Sequence, residues 1–388
     1  MAKNRHISLL RSGMSQPEFS LEQLKTAIEE KDAKWHPEVT TLSQLTVEER
    51  KTRLGLLPTK MELQLATEFK LDKPPEEKPK KKAGNPYGTA AAGLPSKQDW
   101  RDVNGVDWTT QIKDQDGCGS CVAFGTIAAL DALLRIRTFN DPNKAIDLSE
   151  AHLLFCGGGS CSGWHMDNAC NYLKSNGVPD EACFPYAKGL QVKTCATCSD
   201  WQNRIDHTKI LSWANTKDVN EMKKKLVENG PQITGMAVYQ DFFNYAGGVY
   251  EYVTGNLAGY HCVAVVGYDD SVGCWICKNS WGTGWGEVFN GQRGWFRIKY
   301  GQCGIENVFG MWDMVVPTIK TSGYAKSLLV DHSFTSNVRY LWAYSEGAWK
   351  YKPITDAQLE GIVKVLMEAK QVYVWWNGDV ITMVRAMK

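Results

Sequence analysis

Between Lys70 and Pro95 the chain reads KLDKPPEEKPKKKAGNPYGTAAAGLP, with almost no large apolar side chain. Such a stretch buries too little surface to offset the entropy of ordering it, so no single core can run through it. It divides the chain into a polar N-terminal segment, an extended linker at 72–93, and a longer body. Linkers of this kind are easy targets for proteolysis, and Lys78 to Lys82 is the expected processing region. Before the linker, SLEQLKTAIEEKDAKW sets Leu21, Leu24, Ala27 and Ile28 at helical spacing. Ser20 with Gln23, and Thr46 with Glu49, have capping-box spacing, and Gly55 is placed to end the second helix.

From Leu94 to about Pro317, helical periods come first: SCVAFGTIAALDALLRIRTF, LSEAHLLFC, and MDNACNYLKSNGV closed by Asn176-Gly177. Strand patterns follow in QITGMAVY, HCVAVVGYDD, CWICKNSW, GWFRIKYG and VFGMWDMVV. This order predicts an α+β body of two lobes with a cleft between them. Residues 317–388 read as a separate small ββαββ module. It has a hairpin around Glu346-Gly347, a helix in TDAQLEGIVKVLMEAK capped by Thr355, and a second hairpin turning at Asn377-Gly378. Trp342, Trp375 and Trp376 in it are either core or a binding face.

The chemistry is carried by QDGCGSCVAFG, Gln115 to Gly125. A helix is predicted to begin at Cys121 with Ser120 as its cap. A thiol at a helix N-terminus feels the positive end of the peptide dipoles, which favours the reactive thiolate. Gly117 and Gly119 let backbone approach a substrate carbonyl. Gln115 can donate its side-chain amide to a developing oxyanion, together with the Cys121 N–H. The C-x-x-C spacings at 118/121, 195/198 and 274/277 also fit a redox dithiol or part of a zinc site. Zinc, however, needs about four ligands at suitable spacing, and redox pairs usually follow a βαβ pattern.

Cys118-Gly-Ser-Cys121 resembles the C-G-[SA]-C-[WY] signature of papain-like cysteine peptidases, whose His and Asn follow roughly 130–150 residues later. Here His261 stands in GYHCVAVVGYDD and Asn279 in KNSWGTGWGE, and LPSKQDWRD from Leu94 is similar to a mature N-terminus. The likeness covers roughly 94–316. It implies a two-lobed papain-like fold, with a helical left lobe and a β-barrel-like right lobe. It implies Cys121 as nucleophile, His261 as its base, Asn279 orienting the imidazole beneath Trp281, and Gln115 in the oxyanion hole, with no cofactor or metal. It also implies a Cys118–Cys161 disulfide and a bond from Cys156 to Cys195 or Cys198. Cys170 and Cys183 are further candidates for pairing, and Cys262 and Cys303 are expected to be free.

The stretch QITGMAVYQDFFNYAGGVYEYVTGNLAGYH is especially similar to cathepsin B. Through that likeness Gly235, Cys262, Met166 and Val308 fall at the wall of the pocket for the P2 side chain. An apolar floor there accepts Leu, Val or Phe and rejects Arg. No long insertion with paired His resembles that enzyme's occluding loop, which implies endopeptidase action. Three positions depart from the family: Val122 for an aromatic residue, Tyr260 for Asn or Asp, and Trp164 for a second Gly in SCSGW, where Gly163 is kept. Trp164 is expected to narrow or reshape the unprimed side of the cleft. Residues 1–93 resemble a propeptide. Its helices around 21–57 would dock on the body, and the strand after them would cross the cleft in the non-cleavable direction.

A net charge of +1 calls for neither nucleic acid nor an anionic membrane as partner. No stretch approaches the roughly 20 apolar residues of a membrane span. The expected partners are protein or peptide substrates and the chain's own propeptide, and the chain is expected to be a monomer. Twelve Cys favour a secreted, periplasmic or lysosome-like destination. The start, MAKNRHISLLRSGMSQPEF, nevertheless lacks a signal-peptide apolar region. A non-catalytic binding protein on the same fold is disfavoured, because Gln115, Cys121, His261 and Asn279 are all present. A transpeptidase or ligase would share the thioester and differ in excluding water from it.

Overall fold

The computed structural model describes residues 19–71, 93–318, 322–324, 327–333, 338–345, 348–355, 358, 371–377 and 380–387. The linker and most of the helix expected after Thr355 lie outside these residues.

The N-terminal segment holds α1 (Leu21–Glu30), β1 (Trp35–Pro37), α2 (Val47–Lys51) and α3 (Lys60–Glu68). Each helix opens on a complete capping box: Ser20 with Gln23, Thr46 with Glu49, and Thr59 with Glu62. Only two helices were expected; α3 is a third. The expected stop at Gly55 is also corrected. α2 ends at Lys51 with Thr52 as its C-cap, and Gly55 lies in an extended stretch beyond it. Its missing Cβ serves a close approach to the body, described below, rather than a left-handed helix cap.

The body begins with β2 (Lys97–Asp99) and α4 (Cys121–Leu133), then α5 (Met166–Ser175) and α6 (Tyr186–Val192). α4 buries almost every side chain, as a helix apolar all round must, and runs on as a wider π-type stretch, Leu134–Phe139. α5 ends at Ser175 with Asn176 as its C-cap, and Gly177 then turns with φ of 72° while its N–H closes on the Leu173 carbonyl. The strand half contains β3 (Ser212–Thr216), α7 (Val219–Glu228), β4 (Gln232–Tyr239), β5 (Tyr245–Tyr250), β6 (Leu257–Asp269), β7 (Cys274–Lys278), β8 (Glu287–Phe289), β9 (Gln292–Lys299) and β10 (Met311–Val315).

The sheet runs β1-β5-β9-β7-β6-β4-β10-β3, with β2 on β6 and β8 on β9. Its path ends at β1 and β3 and does not close into a ring. β1 joins it from the N-terminal segment, adding to the edge of β5 through Trp35 opposite Gly248. The Trp35 ring packs 5.3 Å from Tyr250 and 6.1 Å from Tyr245, and its indole N–H donates to the Glu251 carbonyl. α4 packs on β6, so the helix that starts at Cys121 and the strand that carries His261 face each other across one core. No helix among the described residues is long and apolar enough to cross a membrane.

A second unit begins at Thr318. It is one six-stranded sheet in the order β11-β15-β16-β14-β13-β12. The strands are β11 (Ser322–Tyr324), β12 (Ser327–Ser333), β13 (Val338–Ser345), β14 (Ala348–Ile354), β15 (Gln371–Asn377) and β16 (Val380–Met387). β13 pairs antiparallel with β14 and β15 with β16, and the expected turn residues Glu346, Gly347 and Gly378 lie outside the described residues. β11 and β12 are additional to the expected ββαββ order, because neither is bounded by a turn signal. Trp376 packs in the core of this unit with Leu341, Val374 and Ile381. Trp342 lies half-buried beside Tyr340 and Tyr351.

Candidate active site

The thiol sits at the meeting point of three loops. A Cys118–Cys161 disulfide ties the loop before α4 to the Ser160–Trp164 loop, and the Gly119 N–H donates to the Cys161 carbonyl at 2.9 Å. Ser120 makes no side-chain cap, contrary to expectation. Its hydroxyl pairs instead with the Tyr186 hydroxyl at 2.7 Å, and Tyr186 donates to the Gln115 carbonyl at 2.7 Å. Tyr186 therefore braces both ends of the turn that presents Cys121, and the first-turn amides of α4 are left beside the sulfur.

His261 lies on β6 and Asn279 just past β7, which pairs with it. The imidazole Nε2 donates to Asn279 Oδ1 at 2.7 Å, and Nδ1, the ring's other nitrogen, is buried. The Ser280 N–H also donates to Asn279 Oδ1, at 2.8 Å. Trp281 covers the pair, its ring 4.8 Å from the imidazole, and Phe243 stacks on its other face. Gln115 receives the Ser280 hydroxyl on Oε1 at 2.8 Å, which turns its amide N–H groups toward the thiol loop. The amide nitrogen donates to the Cys118 carbonyl at 2.8 Å and to the Arg53 carbonyl at 3.1 Å.

Arg53 belongs to the N-terminal segment, and residues 53–57 fill the cleft. The Arg53 guanidinium meets Asp114 at 2.6 Å. Gly55 presses on Gly119, and any Cβ there would overlap the Gly119 carbonyl. The Trp164 N–H donates to the Gly55 carbonyl at 2.8 Å, and the Leu57 N–H to the Trp164 carbonyl at 2.9 Å, a parallel pairing about Leu56. The Leu56 N–H donates to the Tyr260 carbonyl, and its side chain enters a pocket floored by Gly235 and Phe309. A substrate with its P2 side chain in that pocket and its scissile carbonyl over Cys121 would pass the pocket before the thiol. Residues 53–57 pass the thiol first.

Burial also sets the protonation of the pair. Burial pushes the Cys121 thiol up to about 11, although backbone N–H groups of Cys262, Gly55, Val122 and Cys121 itself pull the other way. Burial pushes His261 down to about 4, against the Asn279 hydrogen bond and the Arg53 carbonyl. In this closed arrangement both groups are neutral near pH 7.

The remaining pocket positions divide. Gly235 pairs opposite Cys262 on β4 and β6, so both face the Leu56 side. Met166 is buried at the start of α5. Val308 is buried in the helical turn Ile305–Phe309, where it shares the space over Gly304 with Leu71. Gly163 has φ of 120°, and a Cβ on it would lie 2.6 Å from the Gly55 carbonyl. Phe309 and Tyr186 are contacts that sequence reasoning missed, and Tyr260 is marked there only as a departure from the family. Phe309 stands next to Val308, but nothing in its local pattern marks it.

Trp164 departs from expectation. Its ring points away from the cleft and is buried over Gly157 and Gly159, where added Cβ atoms would come within 2.6 and 2.9 Å of it. Only its backbone faces the cleft, so the ring does not narrow the unprimed side. Trp164→Ala should cost about 3–5 kcal/mol of stability, read as a lowered Tm of the intact chain. An unchanged Tm would show that the ring is not packed there.

Three disulfides are present: Cys118–Cys161, Cys156–Cys195 and Cys183–Cys198. Cys170 is not paired, against expectation, because it points into the core from α5; Cys262, Cys274, Cys277 and Cys303 are likewise free and buried. Each C-x-x-C spacing is thereby divided. Cys118 is bonded away from Cys121, Cys195 and Cys198 have different partners, and Cys274 and Cys277 project from opposite faces of β7.

A family model described as papain family cysteine protease matches residues 94–311. The cathepsin B-like protein CP3 of Giardia intestinalis is 34% identical over 239 residues, covering 58% of this chain and 77% of that one. A cathepsin L-like proteinase of Fasciola hepatica is 31% identical over 237 residues, covering 58% and 67%. Among solved structures, procathepsin B S9 from Trypanosoma congolense superposes with a TM-score of 0.59 at 22% identity, over 78% of this chain and 100% of that one. With Cys121, His261 and Asn279 gathered at the head of α4, and a family match spanning most of the body, the chain belongs to the papain family of cysteine proteases.

Proposed function

We propose that this cysteine protease is an endopeptidase made in a self-inhibited form, with residues 1–93 as its propeptide. The observation that carries this reading is the course of residues 53–57. They occupy the thiol, the Gln115 amide and the Leu56 pocket at once, in the order opposite to a cleavable peptide. The shared fold with a procathepsin supports it.

Once the segment leaves, His261 Nδ1 takes the Cys121 proton, and the thiolate attacks a peptide carbonyl. The Gln115 amide and the Cys121 N–H receive the oxyanion, in the space where Gln115 now holds the Arg53 carbonyl. His261, held by Asn279, passes its proton to the leaving amine, and water hydrolyses the thioester. Leu56 is the internal guide to specificity: it is 3% exposed in an apolar pocket.

The test is a peptide library presented to the chain cut within 72–93. Leu, Val or Phe at P2 should exceed Arg by about 10²-fold in kcat/KM, since a buried unpaired guanidinium costs several kcal/mol. A preference for Arg would sink the pocket assignment, and no cleavage of any peptide would sink the enzyme reading.

A further inference from the structure

We propose that Cys262 is a resolving thiol for the nucleophile: when a peroxide oxidises Cys121 in the opened enzyme, Cys262 captures it as a disulfide, so that inactivation is reversible. This rests on the reading of residues 53–57 as a removable inhibitor.

Cys262 immediately follows His261 on β6. Its backbone N–H is directed at the Cys121 sulfur. Its own sulfur lies against α4 at Gly125, 3.0 Å from where a Cβ would stand. Gly125 is one helical turn beyond Cys121 and on the same face of α4. A hydrogen-bonded N–H on one side and the Cys262 side chain on the other keep the two sulfurs within about 7 Å of each other. Closing that gap needs a change of rotamer, and the closed form gives no room for it. Leu56 sits over Gly235, the residue paired opposite Cys262, and seals the pocket. Departure of Leu56 leaves space for that change on its side of Cys262; the Gly125 side is already filled by the Cys262 sulfur. Cys262 is in no disulfide; Cys170, buried on α5, is the rival partner.

The chemistry follows in order. Apolar surroundings keep Cys262 protonated, so the Cys121 thiolate meets the oxidant first. Its sulfur attacks one peroxide oxygen. An S–O bond forms, the O–O bond breaks, hydroxide leaves, and Cys121 becomes a sulfenic acid, oxidised by two electrons while the peroxide is reduced. Cys262 gives its proton to that hydroxide and attacks the Cys121 sulfur. The S–O bond breaks, and the sulfenic oxygen leaves as water after taking up a proton from solvent. The sum is two thiols and one hydrogen peroxide giving one disulfide and two waters. An external dithiol reverses it by exchange.

The experiment treats the chain, intact and cut within 72–93, with hydrogen peroxide and follows it by peptide mass spectrometry. In the cut chain, a Cys121–Cys262 cross-linked peptide is expected, and dithiothreitol should restore the thiol titre. Cys262→Ala and Cys262→Ser should instead carry Cys121 to sulfinic acid, with at least about tenfold less thiol recovered. In the intact chain neither thiol should react. Irreversible oxidation of Cys121 in the wild-type cut chain, or a Cys262–Cys170 bond, would overturn the proposal. The mass readout needs no turnover. A cross-link in a chain that cleaves no peptide would refute the peptidase reading alone. Normal cleavage with irreversible oxidation would refute the resolving thiol alone.

Discussion

Cutting the chain within 72–93 and releasing residues 1–71 should raise the rate of Cys121 alkylation by iodoacetamide at pH 7 about 10⁴-fold. In the closed form the thiol is held up at about 11 and His261 down at about 4, both by burial. Between those values the proton stays on sulfur. A raised thiol pKa means less thiolate at any lower pH, so at pH 7 only about one molecule in 10⁴ is reactive. The rate in the intact chain should therefore climb tenfold per pH unit toward about 11.

Opening exposes the pair to water. The amide ends of α4 and an adjacent imidazolium then favour the thiolate, and the rate becomes nearly flat between about pH 4 and pH 8. His261→Ala in the cut chain should restore a rising profile with a midpoint near that of an ordinary thiol, about 8.5. Equal rates in cut and intact chains would show that residues 53–57 do not control the nucleophile.

The parts of this site that could be read from sequence are those whose chemistry demands rare residues in fixed local company. Cys121 stands in a glycine loop before an apolar helix, His261 in a valine-rich strand, and Asn279 before Ser-Trp. Gln115 lies six residues ahead of the thiol, and the structure brings all four together. The capping boxes at Ser20 and Thr46 were readable for the same reason: a Ser or Thr and its partner three residues on form a local hydrogen-bonded unit.

What escaped was set by contacts between distant segments. Ser120 has the chemistry of a cap, but Tyr186, far along the chain, takes its hydroxyl. Trp164 replaces a small residue in the cleft loop. Its direction depends on Gly157 and Gly159, whose bare backbone makes room on the far side. β5, with Gly247-Gly248 at its middle, has no strand-like pattern, and it is completed by β1 docking on its edge. Gly55 reads as a helix stop because that is the usual service of a glycine after a helix. Here its service is to let one backbone touch another.

That contact makes Gly55 the most sensitive position in the inhibitory segment. In Gly55→Ala the new methyl would occupy the place of the Gly119 carbonyl, and Gly119 cannot retreat. It is held by its N–H to Cys161, by the neighbouring Cys118–Cys161 disulfide, and by the Cys161 carbonyl 2.6 Å from its own Cβ position. The strand must lift instead. Lifting it forfeits the Trp164–Gly55, Leu57–Trp164 and Leu56–Tyr260 hydrogen bonds, worth about 1 kcal/mol each, and the burial of Leu56, worth about 2 kcal/mol. Partial retention of these contacts leaves a net loss of about 3–4 kcal/mol, or 10²–10³-fold in occupancy of the closed state. The uncut Gly55→Ala chain should therefore be alkylated at Cys121 at pH 7 about 10²-fold faster than the uncut parent. Met61→Ala, on the exposed side of α3, should leave the rate unchanged. The capping box of α1 and the β1–β5 pairing do not involve Gly55, so the segment should remain docked while its cleft strand is displaced. A Gly55→Ala chain as unreactive as the parent would mean that the Gly55–Gly119 contact does not hold the cleft closed.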